Sequence, residues 1–203
     1  MKSKQVILGI DPGTNLLGYG VISVDDKGPR YETMGVFDLR KIKDPFEKLA
    51  NIHAGVQELI ALWHPDEMAV ESPFYGKNAQ VILKLGRAQG AAMIAATHEG
   101  IPVTEYAPRK AKIAICGNGA ASKEQVSVMI QKTLGVELAP EHLDATDALA
   151  LALCHYYECH SLAARSAAEA VTTRSGAGNG GTARKSRSWA DFLKEHPERK
   201  NKD

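Results

Sequence analysis

The nine residues Val6-Ile-Leu-Gly-Ile-Asp-Pro-Gly-Thr14 constrain the fold more than any other stretch of this chain. A short apolar run ends in a carboxylate and is followed at once by a turn sequence. It reads as a buried strand that delivers Asp11 to the rim of a sheet. Glu71 closes a second such run, Met68-Ala-Val-Glu71, and Asp144 and Asp147 open a third apolar segment, Ala148-Leu-Ala-Leu-Ala-Leu153. Taken singly, each acid has an ordinary role. Asp11 suits the Asp-Pro-Gly-Thr turn, and Glu71 suits a solvated strand end. Asp144 and Asp147, three apart and so on one side of a helix, suit an N-cap and a favourable first-turn charge as well as they suit a cation.

The elements around these positions follow from periodicity. Tyr19 to Val24 is a strand, Asp25-Asp-Lys-Gly28 a hairpin turn, and Tyr31 to Phe37 the returning strand. From Pro45 to Trp63, Phe46, Leu49, Ile52, Val56, Leu59, Ile60 and Trp63 recur at three- and four-residue intervals, the period of one helical face. Met68 to Glu71 then forms a strand. Asn78 to about His98 forms a second helix, whose small residues suit close packing on the sheet better than a seam between subunits. Val103 to Glu105 is a short strand, and Ser122-Lys-Glu-Gln125 is a capping box that opens a helix. A last helix runs from near Asp144 to about Leu162. The pattern is that of an α/β chain, a mixed sheet covered by helices. In such a sheet strands one and four are commonly neighbours, and a helix end can close the group of acids. Four carboxylates that close repel one another unless divalent metal neutralises them. Oxygen ligands favour Mg²⁺ or Mn²⁺ over zinc, and two such ions roughly 4 Å apart are the usual device for phosphodiester hydrolysis.

At 203 residues the chain has room for one good core and a tail. We expect a domain over residues 1–163 and a flexible basic extension over 164–203. The near-neutral total, 25 Lys+Arg against 24 Asp+Glu, divides unevenly: nine basic and five acidic residues lie from Arg165 onward. The stretch Ser-Gly-Ala-Gly-Asn-Gly-Gly-Thr (175–182) reads as a linker, with Trp189, Phe192 and Leu193 beyond it. No apolar run approaches the roughly 18 residues of a membrane span, and no signal-peptide pattern opens the chain, so a cytoplasmic protein is expected. Cys116, Cys154 and Cys159 form no C-x-x-C pair, which indicates neither a disulfide framework nor a zinc site.

Five blocks, in order across residues 6 to about 160, closely resemble the RuvC family of bacterial Holliday-junction resolvases. They are Ile7-Leu-Gly-Ile-Asp11-Pro-Gly-Thr-Asn-Leu-Leu-Gly18-Tyr-Gly20; Glu71-Ser-Pro-Phe74-Tyr-Gly-Lys77-Asn78 with Leu83-Lys-Leu-Gly86-Arg-Ala-Gln-Gly90; Glu105-Tyr-Ala-Pro-Arg-Lys-Ala-Lys112; Gly117-Asn-Gly119 with Lys123; and Asp144-Ala-Thr-Asp147-Ala-Leu-Ala. The resemblance implies an RNase H-like fold, a homodimer, and Mg²⁺-dependent paired nicks in a four-way DNA junction, with two ions per subunit and Mn²⁺ as a substitute. It implies work in recombination and repair at the nucleoid, beside the RuvA and RuvB branch-migration machinery. Carried over by position, Asp11, Glu71, Asp144 and Asp147 are the catalytic acids and metal ligands. Phe74 is the aromatic that stacks at the opened junction, and Lys77, Lys112 and Lys123 are DNA contacts. His142, beside the acidic pair, is expected to be a helix-entry residue and not a ligand.

Overall fold

The structure is a computed structural model that describes residues 4–73, 78–137 and 143–174, with side chains to Ser161. Phe74, Lys77, His142 and the glycine-rich stretch 175–182 lie outside the described residues. By its contacts the chain divides into a unit Met1–Ala163 and a second, Ala164–Asp203.

The first three strands, β1 (Gln5–Asp11), β2 (Leu16–Asp25) and β3 (Gly28–Asp38), form an antiparallel meander. Its second turn needs Gly28, whose φ of 112° lies in the region that favours glycine. After α1 (Pro45–Trp63) the chain enters β4 (Glu67–Glu71), parallel to β1; after α2 (Ala79–His98) it enters β5 (Val103–Tyr106), parallel to β4. The sheet order is β3-β2-β1-β4-β5. Three further helices follow: α3 (Pro108–Cys116), α4 (Lys123–Leu134) and α5 (Leu143–Arg174).

Local chemistry sets the helix ends. Asp44 caps α1 through the Phe46 amide, with Pro45 in the first turn where its missing N–H costs nothing, and His64 ends it in the left-handed conformation. Asn78 caps α2 through the amides of Gln80 and Val81. Ser122 and Gln125 form the reciprocal capping box of α4.

Strand alternation sorts the core into two layers. Leu8 and Ile10 of β1, with Met68 and Val70 of β4, pack with Ile52, Val56 and Leu59 of α1 and Ala88, Ala92, Ala95 and Ala96 of α2. On the other face Ile7 and Ile22 pack with Ile115, Val126, Ile130, Leu149 and Leu153 of α3, α4 and α5. There α5 lies almost directly on the strand backbones. A Cβ on Gly9 would sit 2.0 Å from the Ala148 carbonyl oxygen, and one on Gly18 would sit 2.1 Å from that of Asp144. Glycine is required at both positions because helix and sheet meet backbone to backbone.

Four elements differ from the sequence expectation. Residues 108–116 form α3, which periodicity does not reveal: only Ala111 and Ile115 of its nine residues are buried, a single helical step. The meander strands begin earlier than expected, at Leu16 and Gly28, because their first residues pair with Asp38 and Asp25 across the ladder. The last helix continues past Leu162 to Arg174, through a stretch rich in alanine, the strongest helix former.

Candidate active site

β1 and β4 run side by side in parallel, with Ile10 opposite Val70, so the next residues, Asp11 and Glu71, end adjacent strands at the same edge. By alternation both lie on the face that carries Gly9 and Ala69, the face covered by α5. The first turns of α5 bring Asp144 and Asp147 to the same place. Asp11, Asp144 and Asp147 present carboxylate oxygens that all lie within 4.8 Å of one another. Glu71 stands outside that tight group but close enough that its charge acts on Asp11, and that of Asp147 acts on it.

Two helices bring cations to this edge. Lys123, in the first turn of α4, pairs with Asp144 Oδ1 at 2.9 Å and Asp147 Oδ2 at 2.6 Å. Lys112, on α3, is half-buried and lies near enough to Glu71 and Asp147 to lower their pKa values. The structure thus brings together six of the eight residues selected from the sequence; Phe74 and Lys77 fall outside the described residues.

The electrostatics are those of a carboxylate group short of positive charge. Burial, then the charges of Glu71 and Asp147, push Asp11 well above the ordinary carboxylate range. Burial and the neighbouring Asp147 charge raise Glu71 to about 7. Asp147 is raised by burial, against the hydrogen bond from Lys123. Burial opposes the Lys123 ammonium, but its hydrogen bonds to Asp147 and Asp144 outweigh that cost and hold it above the ordinary lysine value. The donor set is oxygen only, its members repel one another, and an ammonium already rests between two of them. A divalent hard cation fits such a set.

Residues outside the acidic group hold the site in place. Gln89, buried on α2, donates from Nε2 to the Glu71 carbonyl oxygen at 3.1 Å and to Glu105 Oε2 at 2.8 Å, tying the end of β4 to β5. Lys48 of α1 donates to the Thr14 carbonyl at 2.8 Å and to Asn15 Oδ1 at 3.1 Å, fastening the turn that follows Asp11. Gln89 shows in the sequence as part of the block at residues 83–90 and as a polar residue at a core position of α2; Lys48 leaves no sign.

Comparison with known proteins agrees with this geometry. The family model described as "Crossover junction endodeoxyribonuclease RuvC" matches residues 7–155. The RuvC of Bacteroides fragilis is 46% identical over 198 residues, covering 97% of this chain and 96% of its own, and that of Christiangramia forsetii is 52% identical over 157 residues, covering 77% and 82%. Thermus thermophilus RuvC in complex with Holliday junction substrate superposes with a TM-score of 0.69 at 34% identity, covering 77% of this chain and 96% of its own. The yeast mitochondrial resolvase Ydc2, at 14% identity and a TM-score of 0.54, shares the fold. An RNase H-like sheet, carboxylates at its β1–β4 edge and a family match across the whole core place this chain in the RuvC family of crossover junction endodeoxyribonucleases.

Proposed function

We propose that this protein resolves four-way DNA junctions by nicking two opposed strands, with Asp11, Glu71, Asp144 and Asp147 as the metal-binding and catalytic acids. The observation that carries the reading is the convergence of Asp11, Asp144 and Asp147 oxygens within 4.8 Å, with the Lys123 ammonium between two of them. Mg²⁺ is the cation that suits the set, two per subunit, with Mn²⁺ able to replace it. Bound there, divalent cations supply Lewis-acid activation of water and neutralise charge at the phosphate.

The chain's own residues do the rest. Asp11, central to the group, is held by the β1–β2 and β1–β4 ladders and by the fastened turn after it. Asp144 and Asp147 are held by the seating of α5 on Gly9 and Gly18. Glu71 is held by Gln89 through its own carbonyl. Such fixed placement is where much of the rate arises, since a misplacement of about 1 Å can cost roughly 100-fold. Lys112 and Lys123 set two ammonium groups at the same edge, where they would pair with phosphates beside the cut. Phe74 and Lys77, which follow Glu71 in the chain, are assigned to stacking on an unpaired base and to the backbone.

Paired nicks require two sites, and a homodimer would supply them. The outer face of α2 supports this: Leu83 and Ile94 are each 56% exposed, and Gly86 and Gly90 face open space, so packing on their own sheet does not account for them. We assign the protein to work at the nucleoid beside the RuvA and RuvB machinery, as the resemblance implies. Among the described residues no helix is long and apolar enough to cross a membrane.

The test is incubation with a labelled mobile four-way junction and a linear duplex of the same sequence, in Mg²⁺, Mn²⁺ or EDTA, beside Asp11→Asn. Symmetric, ligatable nicks on the junction alone, lost in EDTA and in the variant, are expected. Binding without cleavage under every metal would overturn the assignment.

A further inference from the structure

The same strand and helix that carry Glu71 and Asp147 meet again at the start of β4 and about three turns further along α5. Glu67, Ala69 and Glu71 alternate along β4 on the face toward α5. Ala69 packs with Leu151 and Cys154, and Glu67, at the start of the strand, meets His155 and Cys159. His155 Nε2 is in hydrogen-bond contact with Glu67 Oε2. Cys159 Sγ lies 3.7 Å from that nitrogen and 3.9 Å from that oxygen. One carboxylate oxygen, one imidazole nitrogen and one sulfur thus lie within 4.8 Å of one another.

The geometry points to a second metal site here, for a zinc ion held by Glu67, His155 and Cys159. The donors differ in kind from those at the catalytic edge. A thiolate, an imidazole and a carboxylate together suit zinc and disfavour Mg²⁺, which takes oxygen. Their spacing is right as well. Bonds of roughly 2.0 to 2.3 Å in a tetrahedral shell set neighbouring donors about 3.3 to 3.7 Å apart. Both separations of Cys159 Sγ are already near that range, so only the hydrogen-bonded pair Glu67–His155 has to open to admit the ion. His155 and Cys159, four apart, share one helix face, and the partner from the strand closes the triangle.

The surroundings are also those of a ligand set. The Tyr106 hydroxyl meets His155 Nδ1 at 2.8 Å. A hydrogen bond on the second ring nitrogen is what fixes a metal-binding histidine with the first nitrogen aimed at the ion. His155 and Tyr106 are each 4% exposed, so the ring cannot swing away, while Glu67 and Cys159 are half-buried and leave a path and a fourth position for water. Lys110, the nearby cation, is engaged with Glu158 at 2.8 Å. The spacing rule for paired cysteines cannot detect this site, because its three ligands include one cysteine and are spread over more than 90 residues. An ion there would pin α5 to the end of β4 opposite Glu71.

The test uses the full-length, untagged protein. One equivalent of zinc per chain should survive gel filtration. Co²⁺ should give a thiolate charge-transfer band, which carboxylates cannot produce, and zinc should bleach it. Cys159→Ser should abolish the band and weaken zinc by at least about 100-fold, and Tyr106→Phe should weaken it by roughly 10- to 100-fold. Cys116→Ser and Asp11→Asn should leave the band and the zinc stoichiometry unchanged. His155→Gln, read in the same way, covers a failure of Cys159→Ser to fold. No band at one equivalent, a band that persists in Cys159→Ser, or zinc lost with Asp11→Asn would overturn the assignment.

Discussion

Replacing Gly18 by alanine adds one methyl group where there is no room for it. Its Cβ would stand 2.1 Å from the Asp144 carbonyl oxygen and 2.6 Å from the carbonyl carbon. An ordinary carbon–oxygen contact begins near 3.3 Å, so helix and strand must separate by about 1.2 Å. Neither can yield without moving an acid. If α5 lifts, Asp144 and then Asp147 lift with it; if β2 retreats, it pulls Asp11, which is paired with Gly18 in the ladder. Overpacking of this kind costs about 1 to 3 kcal/mol. A displacement of about 1 Å between catalytic groups costs roughly 100-fold in rate. Gly18→Ala should therefore unfold at lower urea yet remain folded, bind the junction, and nick it about 100-fold more slowly under single-turnover conditions. A folded Gly18→Ala that nicks within about threefold of wild type would refute the argument from rigid positioning.

Other outcomes follow from the charges. Asp11→Asn should abolish nicking, leave junction binding largely intact, and raise the urea midpoint of the metal-free protein, since the cost of burying a carboxylate beside Glu71 and Asp147 is relieved. Lys123→Ala should slow nicking by about 100-fold, and it should move the acid limb of the pH–rate profile upward, because the ammonium lowers the pKa values of Asp11, Glu71 and Asp147. In EDTA, stability should fall as pH rises from about 4.3 through about 7. Glu71 binds its proton more tightly folded than unfolded, so its contribution is complete below the unfolded value and lost above the folded one. Thermal unfolding across that range, repeated with Mn²⁺, should show the slope flatten when metal is present.

What could be read from the sequence depended on how far a signal extends along the chain. The apolar face of α1 repeats over five turns, and its bounds, Pro45 and Trp63, match the reading from periodicity. The capping box of α4 is a four-residue code and stands as expected. Asp11, Glu71, Asp144 and Asp147 were legible as acids at element ends, and the neighbouring of β1 and β4 follows from common topology. By contrast, α3 buries too few residues to show a period, yet it places Lys112. Gln89 matters through two hydrogen bonds to residues 18 and 16 positions away, which no local pattern encodes. Spacing among Cys116, Cys154 and Cys159 carries no sign of what surrounds them in the fold. Cys159 has its nearest donors in His155 and Glu67, and folding alone brings the latter near.

The two faces of β1 differ in what they can absorb over evolutionary time. Leu8 and Ile10 look toward α1 and α2 through a layer of apolar side chains, while Gly9 meets α5 with no side chain between. Substitutions on the first face exchange volume with their neighbours and change stability in small steps. At Gly9 on the second face no compensating neighbour exists, because the contact there is the main chain itself. Sequence drift can therefore accumulate behind the sheet without disturbing the chemistry in front of it. At Gly9 and Gly18, by contrast, a single added methyl group moves stability and activity together.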